Sequence, residues 1–198
     1  RTIGVAGGPL DKSWLLLRAY VQKRTGADLA KEASPVFGAP PLLSHKLEVG
    51  ELDAALLYWQ FCARLEAKGV RRVIGAAEIA RSFGLEGNVA LLGYLFDEAR
   101  LTGGSVLQAF AAASHETKQR LASAPEVWAT VRPLMQAEDE RTFQTLKRDF
   151  IAGIPQRSLA EERADAERLY QTLAEIGGER LVGPAKRLPE GLYGGAVR

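Results

Sequence analysis

Apolar and polar positions follow one rhythm in the first half of this chain and another in the second. In the first half, short apolar runs alternate with amphipathic stretches. Thr2–Ala6 reads as a strand, and Asp11–Arg24 as a helix that carries Trp14, Leu17 and Val21 on one face. Asp11 is placed to cap that helix and Gly26 to end it. Pro35–Phe37 reads as a short strand, Pro40–Val49 as a helix stopped by Gly50, and Asp53–Leu57 as a buried strand. The strand runs straight into a helix over Tyr58–Lys68, closed by Gly69. Arg72–Ile74 and the longer run Asn88–Phe96 read as further strands around a short helix at Ala76–Phe83. Strands alternating with helices predict an α/β fold on a mostly parallel sheet.

From about Leu101 the pattern is helical only. Val106, Leu107, Phe110, Ala113, Thr117 and Leu121 form one stripe, and Phe143, Leu146 and Phe150 another. Ser123–Glu126 and Ser158–Glu161 both have capping-box spacing. Pro133 interrupts or ends the helix after the first box. The second box opens a helix with Leu169, Tyr170, Leu173 and Ile176 on one face, ended by Gly177–Gly178. The tail from Gly183 reads as extended.

Composition narrows the function classes. Lysine and arginine (26) nearly balance aspartate and glutamate (24) and are dispersed among them, so no nucleic-acid footprint is expected. The closest basic group, Lys68–Arg72, reads as the solvated start of a strand. One cysteine, Cys62, allows no internal disulfide and no cysteine-based zinc site, and it is expected to be a buried, inert thiol. His45 and His115 lack the partners of a metal or hydrolytic site. No apolar run approaches the ~20 residues that span a bilayer, so direct membrane insertion is not expected.

Two segments hold candidate chemistry, because parallel sheets bind ligands beyond the carboxyl ends of their strands. The first is Gly7–Ser13, where the N–H groups of a helix start could face a ligand. It also reads as a tight turn with Asp11 as a cap and Trp14 in the core. The second is Tyr58–Phe61, offering aromatic faces and the Gln60 amide. At least one of the Tyr58 and Trp59 rings is expected in the core. If their strands lie close together, the two segments line one cleft.

The strand–GG–helix with SWLLLRAY, then LEVGELDAALLYWQF, then a run ending GYLFDEA, then helices only, resembles the nitrate/taurine/sulfonate class of ABC-transporter substrate-binding proteins. That class includes relatives that bind the thiamine pyrimidine precursor. The resemblance implies a periplasmic-binding-protein-like lobe over 1–97, the second lobe of that architecture. It implies a helical region over 98–198 that packs toward a first lobe whose leading segment lies outside this sequence. It places ligand contacts at Gly8, Pro9, Leu10, Asp11, Lys12 and Ser13. The aromatic–acid–Pro–aromatic motif falls on Tyr58, Trp59, Gln60 and Phe61, of which only the aromatic ends match; Tyr58 is the foremost ligand-facing candidate. Leu10 and Asp11 stand where the family often has a serine pair, which implies a neutral or cationic ligand rather than sulfonate or nitrate.

The implied function is solute binding for an ABC importer outside the inner membrane, with a permease as partner, no cofactor and no covalent chemistry. The alternatives are an enzyme of the thiamine-pyrimidine synthase type on the same scaffold, or the effector-binding domain of a transcriptional regulator.

Overall fold

The computed structural model describes residues 1–86, 92–97, 105–189 and 192. Its α/β part is a sheet of three parallel strands, β1 (Thr2–Ala6), β2 (Ser34–Gly38) and β3 (Ala54–Leu56), in the order β2-β1-β3. Thr2 pairs with Ser34 and Val5 with Phe37 on one side of β1; Val5 pairs with Leu56 on the other. Helices α1 (Lys12–Thr25) and α2 (Leu29–Glu32) connect β1 to β2, and α3 (Pro40–Glu48) connects β2 to β3. Helices α4 (Trp59–Ala67) and α5 (Ala76–Ser82) follow, then α6 (Ser105–Ser123), α7 (Trp128–Met135), α8 (Glu140–Ala152), α9 (Leu159–Gly177) and α10 (Glu179–Val182).

Side chains alternate across a strand, so the small sheet is covered on both faces. On one face Ala6 packs with Leu43 and Leu52 against α3, with Val36, Leu47 and Leu57 around them. Gly4 lies there too; a Cβ on it would stand 2.7 Å from Leu52 Cδ1, so that strand position has no room for a side chain as placed. On the other face the Trp14 ring of α1 meets Phe37 edge-on, with centroids 6.3 Å apart. Further along α1, Leu16 joins Ile79, Ala80 and Leu85 with Leu169 and Leu173 of α9. A third cluster, Leu121, Trp128 and Phe143 with Phe150 beside them, holds α6, α7 and α8 together.

Helix α8 packs on α4, and α9 on α1. Ion pairs stitch the first of these contacts: Glu66 of α4 takes Arg148 of α8 at 2.7 Å, and Asp149 takes Arg72 at 2.6 Å. Arg64 donates to the carbonyls of Met135 at 2.7 Å and Gln136 at 3.0 Å, where α7 ends. Among the described residues no helix is long and apolar enough to cross a membrane.

Several sequence expectations are corrected. Arg72–Ile74 is not a strand: Arg72 is drawn to Glu66 and Asp149, and Val73 is 74% exposed with no sheet neighbour. Of Asn88–Phe96, residues 88–91 lie outside the described residues. The segment 92–97 pairs with no strand, and Leu92 and Leu95 face solvent. Ser123 does not open a capping box; its hydroxyl donates back to Gln119 O at 2.8 Å, closing α6, and Ala124 precedes the 3-10 turn Pro125–Val127. Pro133 lies within α7, which ends two residues later with Gln136 at φ 50°. The capping box at Ser158 and Glu161 is present in both directions.

Candidate functional site

Gly7 leaves β1 at φ +97°, a conformation that side chains disfavour, and its N–H donates to Gly38 O at 3.3 Å. That turn brings Asp11 back under the start of α1. The Asp11 N–H donates to Gly8 O at 2.9 Å, and its carboxylate Oδ1 accepts from Ser13 N at 2.9 Å and Trp14 N at 3.2 Å. Two of the first-turn donors that a ligand anion could take, the Ser13 and Trp14 N–H groups, are therefore held by the protein's own carboxylate. This corrects the expectation of free N–H groups facing a ligand and supports the reading of Asp11 as a cap. Trp14, as expected, is core, at 1% exposure.

Because β3 lies directly beside β1, the chain leaving Leu56 rises next to the chain leaving Ala6. Sheet order supplies the condition for Gly7–Ser13 and Tyr58–Gln60 to share one edge. The first connection leaves β1 for β2 on one side, and the second leaves β2 and crosses β1 to reach β3 on the other.

Tyr58 is the N-cap residue of α4, and its carbonyl accepts from Phe61 N and Cys62 N at 3.0 and 3.1 Å. Neither the Tyr58 nor the Trp59 ring is in the core, at 47% and 46% exposed, which corrects the expectation that one would be. The reason is position. Trp59 shares a helix face with buried Ala63 and Ala67, but it is the first residue of α4, with no preceding helical turn to cover it. Its ring meets that of Phe150 on α8, with centroids 6.3 Å apart.

Leu10, Tyr58 and Trp59 are exposed, while Lys12, Ser13 and Gln60 are half-buried. Among the described residues, the Lys12 ammonium, Ser13 hydroxyl, Tyr58 phenol and Gln60 amide have no side-chain hydrogen bond to the protein. The edge thus offers two aromatic faces, one ammonium and three neutral polar groups around an anion-filled helix start. It can hold a flat or apolar body by stacking and orient a polar head.

Cys62 lies half-buried behind this edge; burial pushes its thiol up from the usual range, and Sγ donates to Leu57 O at 3.5 Å. An elevated thiol is a poor nucleophile, as expected for a packing residue. No group of three or more histidine, cysteine, aspartate or glutamate side chains among the described residues is arranged to hold a metal.

Sequence reasoning missed a second polar cluster. Asp165 of α9, 1% exposed, lies between Arg157 and Arg168, which also reach Glu86 O and Gly84 O. The positions 161, 165 and 168 on one helix face were the available signal.

Removing the Asp11 cap by Asp11→Ala is expected to cost about 1 kcal/mol, within the 0.5–2 kcal/mol of such caps. A urea titration followed by circular dichroism measures it; an unchanged midpoint would show that Ser13 and Trp14 find other acceptors.

No family model matches the chain, and no curated protein matches it significantly.

Proposed function

We propose that this chain is a solute-binding component of an ABC import system, of the nitrate/taurine/sulfonate-binding class, working outside the inner membrane with a permease as partner. It would hold a small organic ligand at the carboxyl edge of the sheet, as one wall of a cleft between two lobes. The observation that carries the reading is the adjacency of β1 and β3, which brings Gly8, Pro9, Leu10, Asp11, Lys12 and Ser13 to the same edge as Tyr58, Trp59 and Gln60. The order of elements along the chain, strand–GG–helix first and helices only at the end, supports it.

Binding of this kind needs differential affinity between open and closed states and no covalent step. Asp11 shapes the choice of ligand. Its carboxylate already occupies the helix start, so a nitrate or sulfonate group placed there would meet a like charge in place of free N–H donors. A neutral polar head beside Lys12, Ser13 and Gln60, with a flat body against Tyr58, is the better fit.

Isothermal titration of the protein against nitrate, alkyl sulfonates, aminopyrimidines and aromatic acids tests the reading. Saturable binding of an aminopyrimidine is expected. Tyr58→Ala should weaken it about 2- to 10-fold, the loss of one aromatic contact. The absence of any saturable binding that Tyr58→Ala weakens would end the reading; tight nitrate or sulfonate binding at this edge would keep the class and overturn the role given to Asp11.

A further inference from the structure

Behind Phe150, away from the sheet edge, lies a cavity of about 350 Å³ between α6, α8 and the segment 92–97. Its lining has the usual character of small-molecule sites, mostly apolar with a few polar groups, and it opens to solvent beside Tyr94 and Phe110, 65% and 47% exposed. Leu121 and Phe150 form apolar walls, Leu121 being buried. The rings of Tyr94 and Phe110 stand edge to face, with centroids 4.8 Å apart and planes at 87°, and hold each other in place. The polar groups gather on one side: Tyr94 Oη and Ser114 Oγ are 3.3 Å apart, and Lys118 Nζ lies 5.5 Å from the Tyr94 ring centroid.

Lys118 is the unusual member. Among the described residues no carboxylate lies within ion-pair distance of its ammonium. The acid it does influence is Glu162 of α9: burial pushes that carboxyl above its usual range, and Lys118 and then Arg157 pull it back. A half-buried ammonium beside a hydroxyl pair and above an aromatic pocket presents one positive charge and two hydrogen-bonding oxygens to whatever enters. A monocarboxylate with a hydrophobic body matches that arrangement in charge, hydrogen bonding and shape.

We propose that this cavity binds an aromatic monocarboxylate, its ring lodged among Phe110, Leu121 and Phe150 and its carboxylate on Lys118 with the Ser114 hydroxyl donating. The site is separate from the sheet edge and does not depend on the function proposed for that edge. Trp59 and Trp128 both contact Phe150, so their fluorescence reports occupancy.

Phenylacetate is the probe, with 2-phenylethanol and phenethylamine as uncharged and cationic controls, titrated into the intact protein by fluorescence and calorimetry. One saturable site is expected, with phenylacetate bound about tenfold or more tighter than 2-phenylethanol, as a charge-assisted contact predicts. Lys118→Gln should bring the two within about a factor of 2–3 of each other, and Glu162→Gln should tighten phenylacetate by removing the competing acid. Ala113→Phe, at an exposed lining position, should fill the cavity and abolish binding while leaving the melting temperature unchanged. The proposal is overturned if phenylacetate does not saturate. It is overturned equally if Lys118→Gln and Ala113→Phe leave binding intact, or if Tyr58→Ala alone removes it. A dimer in sedimentation that Phe110→Ser dissolves would assign the cavity to a second copy of the chain instead.

Discussion

Replacing Asp165 with alanine is expected to destabilise the protein by about 3–5 kcal/mol, as when one partner of a buried ion pair is deleted. The carboxylate is almost fully enclosed, with Arg157 on Oδ2 and Arg168 at 3.5 Å from Oδ1. Oδ1 has no hydrogen bond, so Arg168 compensates it by charge alone. Without the carboxylate, the Arg157 guanidinium, 22% exposed, keeps among the described residues the Glu86 carbonyl and the more distant Glu161. At ~2–4 °C per kcal/mol for a chain of this size, the melting temperature should fall roughly 6–20 °C. Arg168→Met, at a half-exposed side chain, should cost less. The double replacement Arg157→Met with Asp165→Leu should recover most of the loss, because the penalty lies in the unpaired charge. A single-variant loss under about 1 kcal/mol in urea would mean that water reaches the cluster in solution.

Trp14→Ala is the second large effect, expected at about 3–5 kcal/mol for a fully buried aromatic. Trp14 is among the largest side chains under 2% exposure, and it ties α1 to β2 through Phe37. Its N–H is one of the two held by Asp11, so loosening this ring also loosens the helix start that forms one side of the sheet edge. Trp59→Ala is the contrast: at 46% exposure against the Phe150 ring, it should cost less than about half as much. Parallel urea titrations decide the matter, and equal losses would contradict the placement of the two rings.

The elements legible in the sequence are those whose ends carry their own punctuation. Helix α1 runs from the Asp11 cap to Gly26 at φ +75°, and α3 and α4 stop just before Gly50 and Gly69, both at positive φ. Local backbone preference decides these ends, and neighbours do not override it. Arg72–Ile74 and Leu92–Phe96 show the opposite case. Their composition suits a strand, yet a strand exists only where another strand accepts its hydrogen bonds, and composition does not name that partner. α10 escaped notice because four residues, Glu179–Val182, give no period to read.

At the site, Asp11 as a cap was legible because the interaction spans two to three residues. The exposure of Tyr58 and Trp59 was not, since it depends on where α4 begins. The adjacency of β1 and β3 was available only as a condition. The Asp165 cluster and the cavity beside Lys118 join residues up to 84 positions apart, as in the Arg168 contact with Gly84, and no local pattern marks such contacts.

The packing of α9 on α1 has a consequence during synthesis. The face of α1 that carries Leu16 is completed by Leu169 and Leu173, roughly 150 residues later in the chain. At ~5–20 residues per second, the ribosome delivers that cover about 7–30 s after α1 has emerged. For that interval the nascent chain can supply Ile79, Ala80 and Leu85 to this cover but not Leu169 and Leu173, so a holdase that masks the exposed part of the α1 face should raise the yield of native protein, and translation slowed before Ser158 should lower it.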